Sequence, residues 1–146
     1  MEIHTIGFTK RSAADFFTTL KTHHIGRLVD VRLNNVSQLA GFAKRDDLRF
    51  FLAEIVGADY VHEPLLAPTS EMLDAYRKKA ISWDEYERRF LTLMDERTIE
   101  STIEWDRLID RPSVLLCSEA TPEHCHRRLV LEYLAAHGRP CEVVDL

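Results

Sequence analysis

The sequence is poor in the features that define several protein classes. It contains three cysteines, an odd number that favours reduced thiols over a disulfide framework. Glycine and proline occur five times each, with no repeat or low-complexity run, which excludes collagen-like and disordered chains. No run of about 18 apolar residues is present, so a transmembrane helix is not expected.

Positive charge is not in excess either. The chain has 19 Lys and Arg against 24 Asp and Glu, for a net charge of −5. This balance argues against non-specific binding to duplex nucleic acid, although it allows a local basic pocket. Residues 1–7 lack the basic segment and apolar core of an export signal, so we expect a cytoplasmic protein without a membrane partner. The length of 146 residues predicts a single domain over residues 1–146.

Short apolar segments alternate with amphipathic helical segments along the chain. Strands are predicted at residues 2–7, 27–31, 59–62, 114–117 and 141–146. Helix starts are predicted at Ser12, at Asp46 or Asp47, at Thr69, at Ser82 in a capping box with Glu85, and at Thr121-Pro122. The second helix would bury Leu48, Phe51, Leu52 and Ile55. The pattern predicts an α/β three-layer sandwich, with a mostly parallel sheet of about five strands, helices on both faces and a helical insert at residues 69–110.

Polar residues collect at the predicted carboxyl ends of the strands. Asp30 and Arg32 end the second strand, His62 ends the third, and Cys117 and Glu119 end the fourth. In a parallel sheet these ends share one edge, where ligands bind. We therefore predict a functional site at that edge.

The stretch from residue 113 to residue 128 combines a strand, a helix start and several reactive side chains. A helix N-terminus favours thiolates and anions. We predict that the catalytic residues are Cys117 as the nucleophile, with Glu119 and His126 transferring protons. The predicted ligand-binding residues are Asp30, Arg32, Asn34, His62 and Arg127. The competing interpretations are a buried structural thiol for Cys117 and an internal ion pair for Asp30 with Arg32.

Metal binding is the least favoured interpretation of the same stretch. Cys117, Cys125 and His126 are suitable ligands for zinc or iron, with Glu119 or His62 as a fourth. However, adjacent residues of a helix point about 100° apart, which would separate Cys125 from His126. The sequence therefore assigns no metal ligand, and it names no cofactor.

Several motifs resemble those of the domain-of-unknown-function family 488. They are Thr5-Ile-Gly7, Val29-Asp-Val-Arg32, the segment 60–65 and above all Cys117-Ser-Glu119 followed by Cys125-His-Arg-Arg128. The resemblance runs along the whole chain. It implies an α/β sandwich, and it brings no reaction, substrate or cofactor.

Three functional hypotheses follow. The first is a small enzyme that acts on an anionic or nucleotide-like substrate at the carboxyl edge of the sheet. The second is a non-catalytic module that binds a nucleotide or a nucleic-acid end through the same pocket. The third is a metal-dependent enzyme with Cys117, Cys125 and His126 as ligands. The oligomeric state is not indicated by the sequence.

Overall fold

The computed structural model describes residues 2–36, 41–118 and 124–146. These residues form one sheet of parallel strands in the order β3-β2-β4-β1-β5. The strands are β1 (Glu2–Gly7), β2 (Arg27–Asp30), β3 (Asp59–His62), β4 (Ser113–Cys117) and β5 (Glu142–Asp145). The helices are α1 (Ala13–Thr22), α2 (Arg45–Phe51), α3 (Ser70–Arg77), α4 (Trp83–Arg97), α5 (Ile99–Thr102), α6 (Trp105–Leu108) and α7 (His126–Ala136). Short 3-10 turns cover Gly41–Ala43 and Pro64–Leu66, and a π turn covers Leu52–Val56.

The sheet is covered on both faces. Along β4, Val114 and Leu116 pack with the residues of α1 and α2, whereas Leu115 and Cys117 pack with those of α4 and α7. The alternation follows from strand geometry, because successive side chains point to opposite faces. The predicted three-layer α/β architecture is therefore confirmed, with the helical insert packed on the α7 face.

Local sequence signals explain most helix starts. The Oγ atom of Ser12 accepts a hydrogen bond from Asp15 N–H at 3.0 Å, and the side chains of Thr69 and Ser82 cap α3 and α4 in the same way. The expected capping box at Ser82 is only half formed. The Glu85 carboxylate pairs with Arg88 and Arg89 instead of returning to the cap.

Two helix predictions are corrected. Helix α2 begins at Arg45, one or two residues before the predicted start at Asp46 or Asp47, and it passes into the π turn. Gly57 N–H donates to Leu52 O at 2.8 Å, and this five-residue spacing turns the helix face so that Ile55 is 42% exposed rather than buried. Helix α7 begins at His126. Thr121 and Pro122, its expected start, lie outside the described residues.

The loops that follow the strands leave the sheet toward different faces, and a crevice forms at the carboxyl end of β4. The chain leaves β1 and β2 toward the face covered by α1 and α2, and it leaves β4 toward the face covered by α7. Such a reversal opens a gap above the carboxyl ends of the strands. None of the described helices has the length and apolarity needed to span a membrane.

Candidate active site

A cavity of about 100 Å³ lies at the carboxyl ends of β2 and β4. Arg32, Leu33 and Asn34 follow β2 and form one wall, while Cys117 ends β4 and lies beside the start of α7. The insert adds aromatic side chains to the cavity lining. These are Tyr76, Trp83 and Tyr86. The cavity thus lies at the sheet edge where the sequence predicts the site.

Cys117 and His126 form a hydrogen-bonded pair at this cavity. The Sγ atom of Cys117 lies 3.6 Å from Nδ1 of His126, and Nε2 of His126 lies 2.6 Å from the carbonyl oxygen of Val31. Because a carbonyl only accepts, Nε2 must carry a proton, and Nδ1 is left to exchange a proton with the thiol. Both side chains are buried, so packing and the Val31 carbonyl fix the imidazole orientation.

The charge balance of His126 favours its protonated form. Burial opposes the imidazolium, but the negative charge of Cys117 and hydrogen bonds to Cys117 and Val31 outweigh that effect and raise the pKa of His126. The positive charge of Arg127 partly opposes this rise. A protonated His126 next to the Cys117 sulfur would stabilise the thiolate form of Cys117.

Cys125 also faces the pair, contrary to the expectation from helix geometry. Its backbone is extended, with φ −136° and ψ 139°, because it is the residue that precedes α7 and not part of it. The ligand atoms of Cys117, Cys125 and His126 consequently lie within 4.8 Å of one another. Burial, together with a hydrogen bond to Cys117 and the negative charge of Cys117, raises the pKa of the Cys125 thiol. Cys125 therefore tends to stay protonated.

A buried ion pair lies behind the loop that follows β2. Arg32 donates from Nε and Nη2 to both carboxylate oxygens of Asp30, at 2.8 and 2.7 Å. The Tyr60 hydroxyl donates to the same carboxylate at 2.6 Å, and burial with this bond raises the pKa of Tyr60. Nη1 of Arg32 is buried and has no hydrogen-bond partner among the described residues. Asp30 thus fixes the orientation of Arg32, and the Nη1 group makes no hydrogen bond to any described residue.

The other predicted site residues lie at different distances from the cavity. Asn34 is on its wall. His62 hydrogen-bonds to the carbonyl oxygen of Arg32 at 2.8 Å, which supports the loop from behind. Arg127 is 2% exposed and acts on Cys125 and His126 through its charge. Glu119, predicted as an acid or base, lies outside the described residues.

Aromatic residues of the insert were not among the predicted site residues. Trp83 stacks on Tyr86 with ring centroids 5.0 Å apart, and His124 stacks on Trp83 at 4.9 Å. Phe90 continues the series and packs 5.5 Å from the His126 ring. Residues 83, 86 and 90 are separated by three and four positions, and this helical spacing indicates that their aromatic side chains share one face of the helix. Trp83 and Tyr86 of this face line the cavity.

The arrangement is suited to thiol chemistry beside a fixed positive charge. It offers a cysteine sulfur, a proton carrier held in one orientation, a second thiol and an arginine, Arg32, among the residues that line the cavity.

Comparison with known proteins identifies one relationship. The family model described as "Domain of unknown function DUF488" matches residues 12–134. Searches of curated proteins and of solved structures found no match.

Proposed function

The chain belongs to the DUF488 family, whose description names no reaction, and from its site we propose that the protein is a small enzyme with Cys117 as nucleophile and an anionic substrate. The observation that carries this proposal is the Cys117–His126 pair, with 3.6 Å between Sγ and Nδ1 and with the imidazole anchored on Val31. Nucleophile, base and orienting group are the three parts of an activated nucleophile.

The proton path follows from the tautomer. The thiol proton of Cys117 passes to Nδ1 of His126, because Nε2 already donates to Val31 O. The thiolate attacks an electrophilic centre of the substrate and forms a covalent bond to sulfur, and the imidazolium gives the same proton to the departing group. Attack by water or a second substrate then breaks the bond and restores the thiol. Glu119 remains a candidate acid or base on sequence grounds.

The choice of an anionic substrate rests on Arg32. Arg32 is among the residues that line the cavity, Asp30 holds its guanidinium, and Nη1 has no hydrogen-bond partner among the described residues. An oxyanion of the substrate would satisfy that donor and gain a charge-assisted hydrogen bond. The volume of about 100 Å³ holds on the order of a few water molecules, so only the reacting group of a nucleotide-sized molecule would enter.

Alkylation with a charged and a neutral reagent tests both parts. Iodoacetate and iodoacetamide differ in charge, and peptide mass spectrometry separates Cys117 from Cys141, a cysteine at the opposite edge of the sheet. We expect Cys117 to react faster than Cys141 and to prefer iodoacetate more strongly than a free thiol does. In the paired variant Asp30→Asn with Arg32→Gln this preference should disappear, whereas Arg107→Gln, at an exposed position, should keep it.

The labelling rates distinguish the proposed enzyme from a non-catalytic binding module. Slow labelling of Cys117, at the rate of Cys141 or below it, would contradict the nucleophile and favour a non-catalytic binding module. Fast labelling with no anion preference would keep the nucleophile and contradict the role of Arg32. The third hypothesis, a metal-dependent enzyme, uses Cys117, Cys125 and His126 as ligands, and it predicts that removing the metal abolishes activity.

A further inference from the structure

The side chains of Cys117, Cys125 and His126 match the ligand spacing of a tetrahedral metal ion. Zinc bound at about 2.3 Å to sulfur and about 2.0 Å to nitrogen places these two ligand types about 3.5 Å apart. The distance from Cys117 Sγ to His126 Nδ1 is 3.6 Å, and all three ligand atoms lie within 4.8 Å of one another. Only small side-chain movements are needed to enclose an ion.

The surroundings orient these ligands as in known metal sites. Histidine ligands usually donate their second ring N–H to a carboxylate or carbonyl oxygen, as His126 does to Val31 O at 2.6 Å. This bond leaves Nδ1 as the ligand atom, on the side of the sulfurs. The extended backbone of Cys125 allows two consecutive residues to face one point.

The donor set selects the kind of metal. Two thiolates and an imidazole favour Zn²⁺ among the common divalent ions and disfavour Mg²⁺ and Ca²⁺, which take oxygen ligands. Two thiolate charges balance the charge of the ion, so the buried cluster becomes neutral. The protein supplies three ligands and leaves the fourth coordination position open. Zinc sites that keep one position for water or substrate also have three protein ligands.

We propose that Cys117, Cys125 and His126 bind one Zn²⁺ ion, and that this ion blocks the thiol chemistry of the site. Binding releases two protons, one from Cys125 and one that Cys117 shares with His126, and it occupies the Cys117 sulfur and Nδ1 of His126, the atoms that the proposed reaction uses. Zinc binding stands on the ligand geometry alone, whereas the blocking effect rests on the proposed function. The site would then be active only when free of zinc.

Zinc binding is tested on untagged full-length protein, because an affinity tag can itself bind metal. After treatment with a chelator, the protein is equilibrated with Zn²⁺, dialysed and analysed for metal content, and its affinity is measured by competition with a chromophoric chelator. We expect one zinc per chain. We expect Cys125→Ser and His126→Asn each to weaken binding by at least about tenfold, since even the loss of an outer contact has such an effect. Cys141→Ser, which alters a cysteine outside the cluster, should bind as the wild type does.

Labelling of Cys117 with iodoacetamide, with and without Zn²⁺, separates the two proposals. Labelling that is fast in the metal-free protein and suppressed by one equivalent of zinc supports both. Fast labelling with no zinc bound overturns the zinc site and leaves the proposed function in place. If zinc binds but Cys117 is unreactive in the metal-free protein, the zinc site is supported. The blocking effect is then overturned, and the proposed function is contradicted. Unchanged zinc affinity in a folded Cys125→Ser variant, checked by circular dichroism, overturns the ligand set.

Discussion

The ion pair between Asp30 and Arg32 is fully enclosed, with side-chain exposures of 0% and 2%. Removing one partner leaves an uncompensated buried charge, so we expect Arg32→Gln to destabilise the protein by about 3–5 kcal/mol. The paired variant Asp30→Asn with Arg32→Gln should cost less than the single variant, because no charge is left alone. Urea denaturation of the three proteins measures these differences.

Two outcomes of the urea denaturation would contradict these expected stabilities. A single variant as stable as the wild type would mean that the Asp30 carboxylate finds another partner or takes up a proton at no cost. A paired variant less stable than the single one would mean that the bond from Tyr60 depends on the charge of Asp30.

Several site residues are predictable individually from the sequence. Cys117 ends an apolar strand and Asp30 with Arg32 ends another, so their position at the sheet edge follows from parallel topology. The place of Cys125 could not be obtained in this way. A helical register assigns it a direction away from His126, whereas its extended conformation depends on where α7 begins. That boundary is among the least predictable features of a sequence.

At the scale of elements, a hydrogen bond joins α7 to α5 on the outside of the core. The Tyr133 hydroxyl donates to the Glu100 carboxylate at 2.7 Å, and this bond lowers the pKa of Glu100. A lowered carboxyl pKa contributes stability above the ordinary carboxyl pKa, and this contribution is lost as the pH falls through the lowered value. We expect Tyr133→Phe to lower the Tm near about pH 7 and to have a smaller effect near about pH 3.

The matched control for this pair is Glu100→Gln. Its amide oxygen still accepts a hydrogen bond but does not titrate. Because the Tyr133 hydroxyl also lies 3.4 Å from the Asp95 carboxylate, the background carries Asp95→Asn as well, and Tyr133→Phe there should lower the Tm equally at both pH values. If the effect of Tyr133→Phe in the natural background were also equal at both, the bond to Glu100 would not be the cause.

Helix starts are predictable from the sequence when the signal is a cap that acts within a few residues. The caps Ser12, Thr69 and Ser82 act within three residues, and the structure confirms each of them. The π turn at Leu52–Val56 is different, because no residue in the segment requires a wider turn. Tertiary packing decides it, and the exposure of Ile55 follows from that packing.

At the scale of the whole molecule, the alternation of strands and helices predicts the layers and the edge of the site, but not the order β3-β2-β4-β1-β5. The order determines which loops meet. It brings the loop after β2 beside Cys117 and leaves His62, one strand further out, behind Arg32. The aromatic wall is likewise a product of tertiary structure, since Trp83 and Tyr76 belong to separate helices of the insert.

The most direct test of the Cys117–His126 pair is the alkylation rate of Cys117 by iodoacetamide in the metal-free wild type and in His126→Asn. The asparagine amide cannot take up the thiol proton, and its shorter side chain also gives up the bond that Nε2 makes to Val31 O. A rate at least about tenfold lower in His126→Asn, with Cys125→Ser close to the wild type, is the predicted result. An unchanged rate in a folded His126→Asn protein would show that the imidazole does not activate Cys117 and would contradict the proposed active site.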